Sequence, residues 1–240
     1  MTQEPVQYSL LDQVATIRID DGKRNALSPQ VIRGINKALD RAEADGAIVI
    51  ITGRDGVFSA GFDLKVMKQG GINALRMLRA GYALTARVLA YPYPVITACS
   101  GHSLAMGVFI MLSADYVIGS RGDFKIGANE VAIGMTIPRV AAAMLKHRLD
   151  PAAYQRVVTL SKFSDVEAAL DAGFFDELAD PEDLLARAET YADEFKKLDP
   201  KAHKASKRRI RAALIRKIRF SIPLDVLDAA LVALRGPKPR

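Results

Sequence analysis

Tryptophan is absent, cysteine occurs once and histidine three times in 240 residues, and each scarcity removes a class of chemistry. Cys99 alone cannot close an internal disulfide or build a thiolate metal cluster, and this usage fits a reducing compartment. His102, His147 and His203 lie far apart with no His-x₃-His spacing, so no metal site is expected. With aromatics at 7%, the core must be aliphatic. Long apolar runs are missing as well. The most apolar stretch, residues 104–113, is far short of the roughly 20 residues of a membrane span. The start, MTQEPVQYSLLDQ, lacks the cationic-then-apolar pattern of a signal peptide. A soluble, cytoplasmic protein is expected. Nucleotide and hydrolase signatures are missing too. No Gly-x-Gly-x-x-Gly opens a helix after the first strand, and no Gly-x₄-Gly-Lys-Ser/Thr is present. Gly101-His-Ser103 runs on into Leu104-Ala105, which breaks the Gly-x-Ser-x-Gly elbow.

What is present is ordinary globular material, 50% hydrophobic and 25% charged, which excludes disorder and collagen-like arrays. The length suits one domain, or one with an appendage. Charge is 34 − 27 = +7, which suggests an anionic partner without identifying it.

Residues 14–19 alternate and are β-branched, so they predict a strand, paired with residues 7–11 and followed by a turn at Asp20-Asp21-Gly22. Ser28-Pro29 supplies an N-cap and a proline at the first helical position. Val31, Ile35, Leu39 and Ala42 then mark one face of a helix. Residues 47–52 and 94–100 are apolar on both faces, as in strands buried within a parallel sheet. Helical patterns cover 73–89 and 107–114, and short strands are expected near 116–118 and 124–126. The segment 53–62, with three glycines, reads as a loop. Alternating strands and helices predict right-handed crossovers and an α/β core. After about residue 138 only helices are expected. Ser164-Asp-Val-Glu167 reads as a capping box, Asp180-Pro181 as a further helix start, and the last 60 residues as three helices. This divides the chain into an α/β core, 1–180, and a C-terminal helical region, 181–240. The tail Gly236-Pro-Lys-Pro-Arg240 is expected to be mobile.

Two glycine-bearing turns remain as candidate chemistry: Ser59-Ala60-Gly61 and Gly101-His-Ser-Leu-Ala-Met-Gly107. Small residues there let a ligand approach the main chain, and a helix start points free N–H groups outward. Two such groups converging on one carbonyl oxygen make an oxyanion hole. Taken alone, such turns are common and are more often a feature of packing.

Five segments arrive in order and at matching intervals: Lys23-Arg-Asn-Ala-Leu27; Phe58-Ser-Ala-Gly-Phe-Asp-Leu64; Pro94 to Gly107; Ala128-Asn-Glu-Val-Ala-Ile-Gly-Met-Thr-Ile-Pro138; and Leu170-Asp-Ala-Gly-Phe-Phe-Asp-Glu177. Together they resemble the crotonase (enoyl-CoA hydratase/isomerase) superfamily across about residues 6 to 235. The resemblance implies a stack of β-β-α turns whose C-terminal helices build homotrimers, often paired into hexamers. It implies an acyl-CoA substrate, with the coenzyme A thioester as reactant and no separate cofactor. The N–H groups of Phe62 and Met106 would be the oxyanion donors. Arg24 and Ala26 would line the pantetheine and phosphate path, and Ala60, Asp63 and Leu64 would flank the adenine. The chain departs from the family's Gly-Gly-Gly at Ala105-Met106-Gly107, which adds bulk near the acyl group.

Family hydratases carry two glutamates. The first position here is Phe109, a substrate-lining residue by resemblance; the second is Glu130. Two carboxylates suit holding a water, whereas one suits moving a proton between carbons. A lone Glu130 therefore resembles the family's isomerases, with double-bond migration from 3-enoyl-CoA to 2-enoyl-CoA as the expected reaction. Pro138 stands where the dehalogenase branch needs an aspartate. The alternatives are a hydratase working with one glutamate, or a non-catalytic acyl-CoA- or RNA-binding relative. Glu130 could also be a loop carboxylate capping the next turn. An apolar pocket around it is expected from Val131, Ile133 and Met135. The basic run of Lys201, Lys204, Lys207, Arg208, Arg209, Arg211, Arg216, Lys217 and Arg219 reads as a solvated face, a contribution to a neighbouring subunit's CoA site, or a nucleic-acid surface. No aromatic interleaves with it before Phe220, so a stacking platform is missing and nucleic acid is not expected as a partner.

Overall fold

The computed structural model describes residues 4–235; the tail expected to be mobile lies outside them. The elements run β1 (Val6–Leu11), β2 (Val14–Ile19), α1 (Pro29–Ala44), β3 (Ile48–Thr52), β4 (Gly56–Ser59), α2 (Leu64–Gln69), α3 (Gly71–Ala90), β5 (Val95–Cys99), β6 (Gly101–Leu104) and α4 (Met106–Met111). There follow β7 (Tyr116–Ser120), β8 (Ile126–Gly127), a 3₁₀ turn (Val131–Ile133), α5 (Arg139–Arg148), α6 (Pro151–Leu160), α7 (Val166–Ala172), β9 (Glu177–Ala179), α8 (Leu184–Phe195) and α9 (Pro200–Arg235).

A six-stranded sheet has the order β1-β2-β3-β5-β7-β9, and a second sheet has the order β4-β6-β8. Only the β1–β2 pair is antiparallel. Each strand pair β3/β4, β5/β6 and β7/β8 thus gives one strand to each sheet. β3 and β5 are buried along their whole length, as their unbroken apolar runs predicted. Ser28 caps α1 by accepting from the Val31 N–H at 3.2 Å.

The smaller sheet is where the sequence expectation fails. Residues 53–62 are not all loop, since β4 pairs with β6. Gly101 does not begin a turn into a helix, since it opens β6. Both strands have four residues and exist through pairing rather than propensity. A Cβ on Gly101 would lie 2.1 Å from the Gly56 carbonyl carbon, so only glycine permits that approach. The capping box is also displaced. Asp165, not Ser164, accepts the Ala168 N–H at 2.8 Å, because Ser164 is extended and exchanges main-chain bonds with Ile126. Asp180-Pro181 forms a turn that precedes α8 instead of opening it, with the Asp183 N–H on the Asp180 carbonyl. Among the described residues beyond 181 there are two helices rather than three, because α9 runs 36 residues straight through Pro223.

These C-terminal helices share the core with what precedes them. Ile215, Ile218 and Ile222 of α9 join the main cluster, while Leu184, Ala188 and Ala192 of α8 cover Ile48, Ile50 and Ile96.

Candidate active site

The loop after β2 braces the loop after β4. Asn25 has a left-handed backbone (φ 51°) that a short amide side chain tolerates, and it is fully buried. Its Nδ2 donates to the carbonyls of Ile19 (2.7 Å), Val57 and Phe58 (both 3.2 Å). Ser59 Oγ donates to the Asn25 carbonyl at 2.7 Å and accepts the Gly61 N–H at 3.2 Å. The Leu27 N–H then bonds the Gly61 carbonyl at 2.8 Å, and Leu27 bridges to Phe62 in parallel fashion. Phe62 is thus held by an isolated β-bridge beyond the end of β4.

The second turn meets the first at Gly61, whose φ is 86°. A Cβ there would lie 3.0 Å from the Leu104 carbonyl oxygen and 3.3 Å from the Met106 nitrogen. Ala105 caps α4 with φ 48° and ψ −121°, a conformation that costs an L-residue of order 1–3 kcal/mol, and its N–H is tied to the Gly127 carbonyl at 3.0 Å. Met106 therefore sits at the first position of a helix, where an N–H has no intrahelical acceptor. Among the described residues, no acceptor takes the N–H of Phe62 or of Met106. Two unclaimed donors lie on adjoining turns. The Met106 side chain is fully buried.

Glu130 precedes the 3₁₀ turn, and its side chain makes no capping bond. The turn-capping alternative therefore fails. Only 7% of Glu130 is exposed, and Oε2 is buried with no partner. Burial raises its carboxyl above the usual glutamate value, only partly opposed by its own backbone N–H. The expected pocket of Val131, Ile133 and Met135 is not there: these side chains are 42%, 59% and 43% exposed. The short turn closes on its own main chain, with the Met135 N–H on the Glu130 carbonyl at 2.8 Å, and directs them outward. Burial comes instead from the core side. Tyr82 of α3 is 5% exposed, and its hydroxyl is pushed up by burial and by the charges of Asp225 and Glu130. Phe109 is 1% exposed, within the core. No acid stands beside it in the sequence, which reads Gly107-Val-Phe-Ile110.

The residues expected on the nucleotide path fall on the same two loops. Arg24 is exposed and its carbonyl accepts the Ala60 N–H at 3.0 Å, so that N–H is closed to a ligand. The Ala26 N–H bonds Asp21 Oδ2 at 3.0 Å. Asp63 caps α2 through the Lys65 N–H at 2.8 Å, and Leu64 is 67% exposed. Lys65 and Lys68 are exposed on the same short helix.

The basic run on α9 divides in two. Lys207 and Arg211 are neither solvated nor free for a ligand, being 5% and 7% exposed. Lys207 Nζ donates to Asp115 Oδ2 at 2.5 Å and the Tyr93 carbonyl at 3.0 Å. Arg211 reaches Asp115 Oδ1 at 3.1 Å and the carbonyls of Leu89, in the last turn of α3, and of Ser113 and Ala114, just beyond α4. The other members of the run stay exposed. The described residues hold no cluster of metal-ligating side chains, and none of their helices is long and apolar enough to cross a membrane.

Residues 11–223 match the family model described as enoyl-CoA hydratase/isomerase. An enoyl-CoA hydratase/isomerase family protein from Pseudomonas syringae superposes with a TM-score of 0.92 at 42% identity, covering 95% of this chain and 99% of the other. Enoyl-CoA hydratase EchA3 from Mycobacterium ulcerans gives 0.90 at 45%, over 94% and 99%. An enoyl-CoA isomerase of Mycobacterium tuberculosis gives 0.89 at 44%, over 93% and 98%.

Proposed function

The chain belongs to the enoyl-CoA hydratase/isomerase family, and from that premise we propose that it moves a double bond, converting a 3-enoyl-CoA into the 2-enoyl-CoA. One observation carries the reading: of the two buried carboxylates among the described residues, Glu130 and Asp225, Glu130 has an unpartnered oxygen, while Phe109 fills the position of the second acid. The thioester carbonyl oxygen is received by the N–H groups of Phe62 and Met106. Glu130 removes a proton from C2, and the electron pair spreads over the thioester and the C3=C4 bond as a dienolate. The same carboxyl returns the proton to C4, leaving C2=C3 and a regenerated carboxylate. No cofactor enters; coenzyme A arrives as part of the substrate. Each donor of such a pair contributes roughly 3 kcal/mol to the stability of the developing oxyanion. Burial supports the acid/base role, since a carboxyl raised toward neutrality accepts a proton more readily and still returns it.

The M. tuberculosis relative is named an isomerase in one structure and a probable hydratase in another, and the M. ulcerans relative a hydratase, so the names favour neither reaction. The chain's own residues favour isomerisation, because nothing at Phe109 orients a water. The test is to follow conjugated-thioester absorbance with 3-enoyl- and 2-enoyl-CoA. The native protein should isomerise faster than it hydrates. Faster hydration of crotonyl-CoA than isomerisation of any 3-enoyl-CoA sinks the proposal.

A further inference from the structure

Gly81 lies inside α3, where glycine costs about 1 kcal/mol relative to alanine. Its backbone does not require glycine, because it is absent from the positive-φ positions. Space does. A Cβ at Gly81 would fall 2.4 Å from Cε1 and 2.6 Å from Cζ of the Phe62 ring, and 3.6 Å from Met106 Cε. The Phe62 ring thus enters the surface of α3 where a side chain is missing, and Met106 reaches the same spot. Next along the helix, the buried Tyr82 presses edge-on against the Phe62 ring, with centroids 5.7 Å apart and planes at 81°.

We propose that Gly81 is a positioning residue: the space it leaves seats the Phe62 ring, and the seated ring, together with the Leu27–Phe62 pairing, fixes the aim of the Phe62 N–H beside that of Met106. This rests on the enolate reading of the site. The side chains of the two donor residues take no part in donation, and their task is to be held. Misplacement by about 1 Å costs up to 10²-fold in rate where reacting groups must align.

The test is a size exchange. Phe62→Leu removes the ring atoms that approach Gly81, and Gly81→Ala fills the space they occupied. Each single variant should lose about tenfold or more in kcat with KM for the thioester unchanged, and the double variant should recover most of that loss. A readout independent of turnover is the ultraviolet band of bound acetoacetyl-CoA, whose enolate fraction reports stabilisation of the oxyanion. That fraction should fall in each single variant and return in the double. Native kcat and enolate fraction in folded Gly81→Ala overturn the proposal, as does a double variant no better than Gly81→Ala. If Gly81→Ala fails to fold, Phe62→Leu decides alone, and an undiminished enolate band there overturns it. A native protein that shows the band yet isomerises nothing refutes the reaction while Gly81 is still judged on the band. A native protein without the band refutes Gly81's role.

Discussion

Replacing Asp115 by alanine should be among the most damaging single changes available outside the candidate site. Its carboxylate accepts from Lys207 Nζ, Arg211 Nη2 and the Val95 N–H (2.8 Å). The side chains of the two cations are 5% and 9% exposed. Removing the acid leaves both charges buried without compensation, a change that costs about 3–5 kcal/mol. In a domain of this size each kcal/mol shifts the melting temperature by roughly 2–4 °C, so a fall of about 6–20 °C is expected. The loss should also depend on pH. Burial lowers the Lys207 ammonium to about 8, against the opposing pull of Asp115. Without Asp115 that value falls further. A lysine that sheds its proton more readily when folded makes stability rise with pH above its folded value. The gap between native and variant should therefore be wider at pH 7 than at pH 9. Urea unfolding at both values, with Asp115→Asn as the isosteric control, measures this. A loss below about 1 kcal/mol at pH 7 would show that α9 is not fastened by this carboxylate.

Glu130→Gln should lower isomerisation by at least about 10²-fold while raising the melting temperature near neutrality. Because the folded carboxyl holds its proton more tightly than the unfolded one, native stability declines as pH climbs through the raised value, and the amide escapes that decline; equal melting of the two proteins at neutral pH contradicts it. Phe109→Glu should shift the ratio of hydration to isomerisation upward, at a cost of several kcal/mol for the buried acid; an unchanged ratio in the folded variant argues against Phe109 as the determinant. Filter binding to mixed-sequence RNA should vanish near physiological salt, since two of the α9 cations are turned inward; retention with a steep salt slope would favour a nucleic-acid role.

The parts legible in the sequence are those written in local pattern. The face of Val31, Ile35 and Leu39 gives α1, the unbroken runs give β3 and β5, and the small residues around Gly61 mark the turn that carries Phe62. β4 and β6 escape such reading because four residues with two glycines between them have little preference of their own until they pair. The inward turn of Lys207 and Arg211 escapes it for another reason. Their four-residue spacing in a basic run looks like a solvated face, and the acid that claims them lies 92 residues away from Lys207. Gly81 looks like any helical residue until the Phe62 ring, nineteen positions earlier, is placed against it. Glu130 was legible as a residue but not in its surroundings, since the apolar neighbours in sequence point outward and the burial comes from other elements.

The two unclaimed N–H groups belong to the main chain, and that gives the site an unusual kind of robustness. Any amino acid except proline carries the same donor, so substitution at Phe62 or Met106 can misdirect the pair but cannot delete it. The donors are inherited as a path of the chain, written in Gly61, Ala105 and the strand ends that meet there. Proton handling, in the mechanism proposed, resides by contrast in one side chain that a single base change can replace. On the proposed mechanism, chemistry on this frame can therefore diversify at the Phe109 and Glu130 positions while the two main-chain donors are passed on unchanged.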